Sequence, residues 1–227
     1  MKLAIFDLDN TLLGGDSDHA WGDYLIAAGL VDAATHRAQN DRFYHQYQHG
    51  GLDIHEYVAF TIKPIMHLDK LTLQRMHDDF MRDFIKPMLL IKSTALLEHH
   101  KSQGHYTVIV TATNEFITTP IAKLLGVDTL LATELEQRDG RYTGRVSGVP
   151  SFQAGKVHRV QQWLKDAKEA DLTGRMAQFT LDDSVFYSDS FNDLPLLELA
   201  SEAVAVDPDP TLEKLALARG WKVISLR

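Results

Sequence analysis

The sequence has no cysteine and no long apolar run, and these two absences exclude several kinds of protein. Without cysteine there is neither a disulfide bond nor a thiolate metal site. No apolar stretch approaches the roughly 18 residues that a membrane-spanning helix needs. The N-terminus does not resemble a signal peptide, because Asp7 interrupts the apolar stretch that follows Lys2. We therefore expect a cytoplasmic protein that does not span or bind a membrane.

The chain also lacks any cluster of basic residues. It has 23 Lys and Arg against 31 Asp and Glu, which gives a formal net charge of -8. Nucleic acids and anionic membranes both require clustered positive charge, so neither is an expected partner. With 227 residues, of which 44% are hydrophobic, the chain is long enough for one full-sized domain or for a core that carries a smaller insert. Its oligomeric state is left open.

Six short apolar segments bounded by turn residues are predicted to be β-strands, at residues 2–9, 106–113, 128–135, 184–190, 202–207 and 221–226. Their continuous apolarity is typical of strands that are covered on both faces in a parallel sheet. Helical patterns separate most of them, at residues 94–103, 116–125, 156–168, 194–200 and 211–219. This alternation predicts an α/β fold with a doubly wound, mostly parallel sheet. A separate hairpin is predicted around Asp139-Gly140.

Residues 14–85 interrupt this alternation, because they show helical patterns only. We predict a core of residues 1–13 and 86–227 and an inserted all-helical cap of residues 14–85. Ser17 is the predicted N-cap of the first helix of the cap. The aromatic side chains of the cap are expected to pack inside it rather than to face a ligand; they are Trp21, Phe43, Tyr44 and Tyr47.

Polar residues follow the predicted strands at the point where each strand ends. They are Asp7, Asp9 and Thr11 after the first strand, Thr111 and Thr113 in the second, and Asp189, Asn192 and Asp193 after the fourth, with Lys156 at the start of a helix. Ligands of open α/β sheets bind beyond the carboxyl ends of the strands. We therefore expect these side chains to converge at one edge of the sheet.

Asp7 and Asp9 are predicted to point to the same face, because side chains two residues apart do so in a strand. Two carboxylates about 4 Å apart repel by roughly 4 kcal/mol at an effective dielectric constant near 20. A cation between them, or a proton on one of them, would remove this repulsion. Together with Asp189 they would form a hard oxygen site that suits Mg²⁺.

A phosphate ester bound at this edge would give each residue a chemical task. Asp7 would attack phosphorus and form an aspartyl-phosphate intermediate. Asp9 would protonate the leaving alcohol and later deprotonate water, a role that a raised pKa favours. Lys156 and Thr111 would bind the remaining phosphate oxygens.

Four motifs carry a resemblance to a known family. FDLDNT at 6–11, the threonine at 111 in VIVTAT, GK at 155–156 and SDSFNDLP at 188–195 resemble, in order and spacing, the motifs of the haloacid dehalogenase superfamily. The helical insert directly after the first motif resembles that of the phosphoserine phosphatase-like branch. The resemblance implies a Rossmann-like core, Mg²⁺ as cofactor and a small phosphate ester as substrate.

The resemblance also implies a role for each matching residue. Asp7 is the nucleophile and Asp9 the acid–base residue. The implied Mg²⁺ ligands are Asp7, the main-chain carbonyl of Asp9, and Asp189. The implied phosphate ligands are Thr111, Ala112, Lys156 and Asn192, and Thr11 and Asp193 support the site. Thr-Ala-Thr replaces the more usual Ser-Gly-Gly of the second motif, so residues 112 and 113 are expected to reshape the floor of the pocket.

Other functions share parts of this pattern. A non-enzymatic phospho-aspartate switch of the receiver type has a similar aspartate pocket, but it carries no such insert and needs no acid at Asp9. A dehalogenase uses neither Mg²⁺ nor a second aspartate in the first motif. Phosphotransfer to an acceptor other than water uses the same site and stays open as an alternative.

Two residues of the insert bear on the substrate. An ungapped comparison with the phosphoserine phosphatase pattern puts Asp16 where that family has an acid for the substrate ammonium, and Ala59 where it has an arginine for the carboxylate. A small amino-alcohol phosphate without a carboxylate, such as L-histidinol phosphate, fits this pair best. Phosphoserine is the alternative, with Lys63 or Arg82 as the partner of its carboxylate.

Overall fold

A six-stranded, fully parallel sheet forms the centre of the molecule. The structure is a computed structural model that describes residues 2–171, 174 and 176–227. The strands of this sheet are β1 (Leu3–Phe6), β2 (Tyr106–Asn114), β3 (Thr129–Thr133), β6 (Ser184–Ser188), β7 (Glu202–Val206) and β8 (Lys222–Ile224). Their order is β3-β2-β1-β6-β7-β8. The predicted doubly wound α/β fold is confirmed.

Helices lie between most of the strands. Those between β1 and β2 are α1 (Ser17–Ala27), α2 (Ala33–Gln48), α3 (Ile54–Ile62), α4 (Lys70–Phe80), a π-helical turn at Met81–Ile85, a 3-10 turn at Lys86–Met88 and α5 (Ile91–Ser102). Those that follow are α6 (Glu115–Leu125), α7 (Ala154–Ala170), α8 (Leu194–Leu197) and α9 (Pro210–Arg219). Short 3-10 turns lie at Met176–Gln178, Leu181–Asp183 and Phe191–Asp193. None of the described helices is long and apolar enough to cross a membrane.

The sheet has an apolar core on each of its faces. Leu3 and Ile5 of β1 belong to one apolar cluster, and Ala4 and Phe6 belong to the other. All four residues have no exposed surface. Because both faces are covered, the strands carry continuous rather than alternating apolar sequence, as predicted.

Helices α1 to α4 form the insert between the first two strands of the chain. The two ends of the insert lie side by side, since Leu13 pairs with Leu89 and the Gly14 amide donates to the Met88 carbonyl at 2.8 Å. Trp21 is fully buried, and its ring lies 5.3 Å from that of Phe116 in α6. The predicted packing role of Trp21 is therefore confirmed. The division into domains at residues 14 and 85 stays a prediction.

A two-stranded antiparallel hairpin, β4 (Leu135–Arg138) and β5 (Arg141–Val146), projects from the core. Asp139 and Gly140 both have positive φ, 50° and 73°, which is the backbone of the tight turn that Asp-Gly favours. The predicted hairpin is confirmed. Helix α3 of the insert packs on β5, so the hairpin supports the insert from the core side.

Two local predictions were wrong. The first strand ends at Phe6 rather than at Asp9, because the chain turns there and Asn10 adopts the left-handed conformation with φ of 56°. Asp16, and not Ser17, is the N-cap of α1: its carboxylate accepts a hydrogen bond from the His19 amide at 2.7 Å. An aspartate in the extended conformation caps a helix in this way because it satisfies an otherwise free amide.

Candidate active site

A cavity lies between the helical insert and the carboxyl ends of β1 and β2. Its lining residues are Asp7, Asp9, Asp16, Asp18, Phe43, Tyr44, Tyr47, Leu52, Ile54, Tyr57, Thr111, Ala112 and Thr113. Five of the predicted site residues are therefore brought together here: Asp7, Asp9, Asp16, Thr111 and Ala112. The cavity is also the place at which the parallel sheet would be expected to bind a ligand.

Lys156 lies between two carboxylates at the base of this cavity. Its Nζ is 2.7 Å from Asp7 Oδ1 and 2.7 Å from the Asp193 carboxylate, and the Lys156 side chain is 1% exposed. Burial by itself would lower the pKa of Lys156, but the charges of Asp193 and Asp7 outweigh burial and raise it. Burial raises the pKa of Asp7, and the Lys156 ammonium opposes that rise. The lysine thus favours an ionised Asp7 carboxylate.

Gly155 explains how Lys156 reaches this position. A Cβ at Gly155 would stand 2.1 Å from the Pro150 carbonyl oxygen, which is a backbone atom that cannot move aside easily. Only glycine permits this close approach at the start of α7. On the other side, the Ser188 hydroxyl donates to Asp193 at 2.7 Å and holds the second carboxylate in place.

Thr11 links the carboxylates of Asp7 and Asp189. Its hydroxyl lies 3.1 Å from Asp189 Oδ1 and 3.5 Å from Asp7 Oδ2, and it accepts from the Asp189 amide at 3.0 Å. Burial and the charges of Asp7 and Asp193 raise the pKa of Asp189 well above its usual range. Three neighbouring carboxylates therefore share one ammonium, that of Lys156, and a divalent cation would balance the excess of negative charge.

The Asp9 side chain corrects the prediction of a three-carboxylate metal site. Asp9 Oδ1 accepts from the Ser17 amide at 2.7 Å, and Oδ2 accepts from the Thr113 hydroxyl at 2.8 Å. Both carboxylate oxygens of Asp9 are thus engaged by protein donors, one from the insert and one from β2, although Asp7 and Asp9 line the same cavity. Among the described residues, no group of three or more His, Cys, Asp or Glu side chains is placed to hold a metal.

The remaining donors still suit Mg²⁺. They are two side-chain carboxylates, Asp7 and Asp189, and the main chain at Asp9. Magnesium is typically bound by one or two carboxylates, while water and substrate phosphate complete its octahedron. Asp7 and Asp189 fit that pattern because Thr11 already holds them next to each other.

The pKa of Asp9 is raised to about 7. Burial is the main cause, and the charge of Asp16 is the next. Hydrogen bonds from Ser17 and Thr113 oppose the rise. A carboxyl group with this pKa exists in both protonation states near neutral pH, so it is able to give and take a proton.

Thr113 was predicted to lie at the edge of the sheet and to reshape the floor of the pocket, but no contact with Asp9 was predicted for it. Its hydroxyl donates to Asp9, and its amide donates to the Thr111 hydroxyl at 3.2 Å. A glycine at position 113 would offer no such hydroxyl. Two signals in the sequence pointed to this position: its place near the end of the second strand and the Thr-Ala-Thr departure from the family motif.

Asn192 lies apart from the cavity. Its Nδ2 donates to the Tyr47 carbonyl at 2.8 Å, and its Oδ1 accepts from Gln153 at 3.3 Å. In this structure Asn192 therefore connects the core to helix α2 of the insert. Its implied role as a phosphate ligand stays a prediction.

The cavity wall formed by the insert is acidic and aromatic. Asp16 and Asp18 line it, and no Lys, Arg or His of the described residues does so. Ala59 is exposed and does not line the cavity. Lys63 lies along a different depression, and Arg82 is paired with Asp79 and Asp83 at 2.8 and 2.7 Å.

The positions of three aromatic side chains differ from the prediction. Phe43, Tyr44 and Tyr47 line the cavity, although the sequence analysis expected them to pack within the insert only. Phe43 does both, since it is 1% exposed and its ring lies 5.1 Å from that of Tyr57. A helical pattern shows which residues are apolar, but not which of them border an internal cavity.

Comparison with known protein families identifies the family of this chain. Residues 4–198 match the family model of haloacid dehalogenase-like hydrolases. The chain belongs to this family. The predicted family and the prediction that the chain is an enzyme, a phosphoric monoester hydrolase, are thereby confirmed. A receiver-type switch is excluded.

Several individual proteins are similar to this chain along almost its whole length. A histidinol-phosphatase of Neisseria meningitidis serogroup C (strain 8013) is 46% identical over 228 residues, which cover 100% of this chain and 99% of that protein. A crystal structure of a protein with unknown function from Bordetella pertussis Tohama I is 43% identical, has a TM-score of 0.88 and covers 99% and 98% of the two chains. A phospho-aspartyl intermediate analogue of phosphoserine phosphatase has a TM-score of 0.67 at 17% identity, with 100% and 93% covered, and shows a shared fold.

Proposed function

We propose that this enzyme hydrolyses the phosphate monoester of a small amino alcohol that has no carboxylate, with L-histidinol phosphate as the leading candidate. The observation that carries the proposal is the cavity itself. Asp7 and Asp9 line it on the side of the core, Asp16 and Asp18 line it on the side of the insert, and no Lys, Arg or His of the described residues is among its lining side chains. The 46% identity to a histidinol-phosphatase supports the same substrate.

The proposed site uses the residues that meet at the sheet edge. Asp7, Asp189 and the main-chain carbonyl of Asp9 would hold Mg²⁺, with Thr11 and Asp193 in support. When bound, Mg²⁺ would neutralise negative charge on the phosphate oxygens. Thr111, Ala112 and Lys156 would bind the remaining oxygens of the phosphate, and Asn192 is the fourth proposed phosphate ligand.

The chemistry follows from the positions of Asp7 and Asp9. The Asp7 carboxylate attacks phosphorus, the bond from phosphorus to the alcohol oxygen breaks, and Asp9 gives its proton to that oxygen. Asp9 then takes a proton from water, whose oxygen attacks the phosphorus of the aspartyl-phosphate. Phosphate leaves and the Asp7 carboxylate is restored. An acceptor alcohol in place of water would make the same enzyme a phosphotransferase.

A carboxylate on the substrate would find no partner in this cavity. Phosphoserine would place its carboxylate against Asp16 and Asp18, and burying an unpaired charge costs several kcal/mol. An ammonium, in contrast, would meet the carboxylate of Asp16, which lines the cavity and accepts from the His19 amide. Asp16 is therefore the proposed specificity residue for the ammonium.

The substrate class is tested with three esters: L-histidinol phosphate, phosphoserine and glycerol 3-phosphate. We expect kcat/KM to be highest for L-histidinol phosphate. Asp16→Asn should lower kcat/KM about ten- to a hundredfold for that ester, because a charge-assisted hydrogen bond is worth about 1.5–3 kcal/mol, and far less for glycerol 3-phosphate. Asp32→Asn, which changes the N-cap of the neighbouring helix away from the cavity, is the matched control. Phosphoserine as the best of the three substrates would contradict the proposal.

The hydrogen bond from Thr113 to Asp9 gives a second test. Thr113→Val removes the hydroxyl at almost constant volume, so Asp9 is no longer held for proton transfer. We expect kcat/KM for an alkyl phosphate to fall about tenfold, and that for p-nitrophenyl phosphate to fall much less, since nitrophenolate leaves without a proton. Thr113→Ser keeps the hydroxyl and should retain most of the activity. Equal losses on both esters would show that Thr113 acts on the fold rather than through Asp9.

A further inference from the structure

Asp18 is a buried carboxylate in the cavity wall that the proposed reaction does not use. It is 7% exposed, and within the described part of the chain its Oδ1 has no hydrogen-bond partner. It lies one residue beyond Ser17, whose amide binds Asp9, so the start of α1 presents it to the cavity. A buried polar atom without a partner is costly, and such atoms in native proteins call for a reason.

Among the described residues, none of the charges that act on Asp18 comes from a cation. Burial and the charges of Asp16 and Asp9 raise its pKa well above the usual range, while the hydroxyls of Thr113 and Tyr57 oppose the rise. All of these neighbours are residues of the protein itself. The missing partner of Asp18 Oδ1 is therefore expected to come from the ligand, as an N–H donor.

Aromatic rings border the same part of the cavity. Tyr57 lies close enough to Asp18 for that carboxylate to raise the pKa of its hydroxyl, after burial, which is the largest cause. Asp16 acts in the same way on Tyr44. Phe43 contacts Tyr57 ring to ring at 5.1 Å. Flat walls of this kind favour a planar group, because rings stack on rings.

We propose that Asp18 forms a second recognition subsite, which binds a ring N–H of the leaving alcohol while Asp16 binds its ammonium. The inference rests on the proposed function, and it adds that Asp16 and Asp18 bind different groups of the substrate. The ligand class is an amino-alcohol phosphate that carries a small, planar, nitrogen-containing ring. Imidazole satisfies this description, since it is flat and its N–H is a strong donor when the ring is protonated.

The experiment compares two esters that share the amino-alcohol phosphate and a five-membered aromatic ring, of which only one has a nitrogen-containing ring with an N–H. L-histidinol phosphate has it, whereas 2-thienylalaninol phosphate has an ammonium and a five-membered ring without an N–H. We expect wild-type kcat/KM to be about ten- to a hundredfold higher for L-histidinol phosphate. Asp18→Asn should bring this ratio close to one. Asp16→Asn should lower kcat/KM for both esters and keep the ratio.

Asp23→Asn is the matched control, because Asp23 belongs to the same helix but does not line the cavity, and it should keep the wild-type ratio. The wild-type ratio tests the subsite even if Asp18→Asn does not fold, and Asp18→Ser provides a second variant. A wild-type ratio near one overturns the subsite, and so does an Asp18→Asn variant that lowers both esters equally, because Asp18 would then share the ammonium. If wild type hydrolyses neither ester, the proposed function fails and the subsite fails with it.

Discussion

Asp7→Asn is expected to lower kcat more than a thousandfold, which corresponds to a loss of more than about 4 kcal/mol of transition-state stabilisation. The amide has nearly the shape of the carboxylate but cannot form the aspartyl-phosphate. The fold should persist, because Lys156 keeps its bond to Asp193. Single-turnover kinetics and thermal unfolding measure the two effects separately.

Beryllium fluoride provides an independent measurement of the same role. It mimics the phosphoryl group on an aspartate, so it should inhibit wild type, and its binding to Asp7→Asn should be lost. Asp182→Asn changes an exposed aspartate near β6 and is the matched control, with wild-type turnover expected. An Asp7→Asn variant that retains more than about a thousandth of wild-type kcat would remove Asp7 from the role of nucleophile.

Lys156→Met should have the largest effect on stability. The lysine is 1% exposed and neutralises Asp7 and Asp193, so its removal leaves two carboxylates buried next to each other. Breaking a buried ion pair by removing one partner costs about 3–5 kcal/mol. We expect a loss of that size in the free energy of unfolding, and a fall in kcat/KM of at least a hundredfold. Urea unfolding and steady-state kinetics measure the two.

The loss of stability in Lys156→Met should depend on pH, because it arises from two buried carboxylates. Without Lys156, the pKa values of Asp7 and Asp193 rise in the folded protein above those in the unfolded chain. The folded state then takes up protons more readily as the pH falls, so the destabilisation should shrink toward acidic pH. Lys165→Met alters an exposed lysine of the same helix and should leave stability nearly unchanged. An unchanged unfolding free energy for Lys156→Met at neutral pH would mean that water reaches the two carboxylates.

The sheet was predictable because its signals are local. Continuous apolar segments of a few residues, separated by helical patterns, identified all six parallel strands, and Asp139-Gly140 identified the hairpin. Helix α3 at Ile54–Ile62 lies within the segment 14–85 that was predicted to be all-helical. The ends of elements were less predictable: β1 stops at Phe6 because the chain turns there, and no residue pattern marks where an apolar run leaves the sheet.

The motif residues could be named from the sequence because their order along the chain matches that of a known family. The contacts that these residues make could not be predicted from the sequence. The partner of Asp9 is Thr113, which lies 104 residues away, and Lys156 meets Asp7 across 149 residues. Contacts of this kind depend on the register of neighbouring strands, which residue types alone do not specify.

By itself, the sequence determined the α/β fold, the helical insert and the residues at the carboxyl ends of the central strands, because periodicity, turn residues and motif order are properties of neighbours along the chain. Only the tertiary structure decided that the Ser17 amide and Thr113 hold Asp9, and that Asp18 and four aromatic rings line the cavity. The physical reason is that the cavity is enclosed by segments distant in sequence. The packing of the insert on the sheet determines which side of each helix borders the cavity.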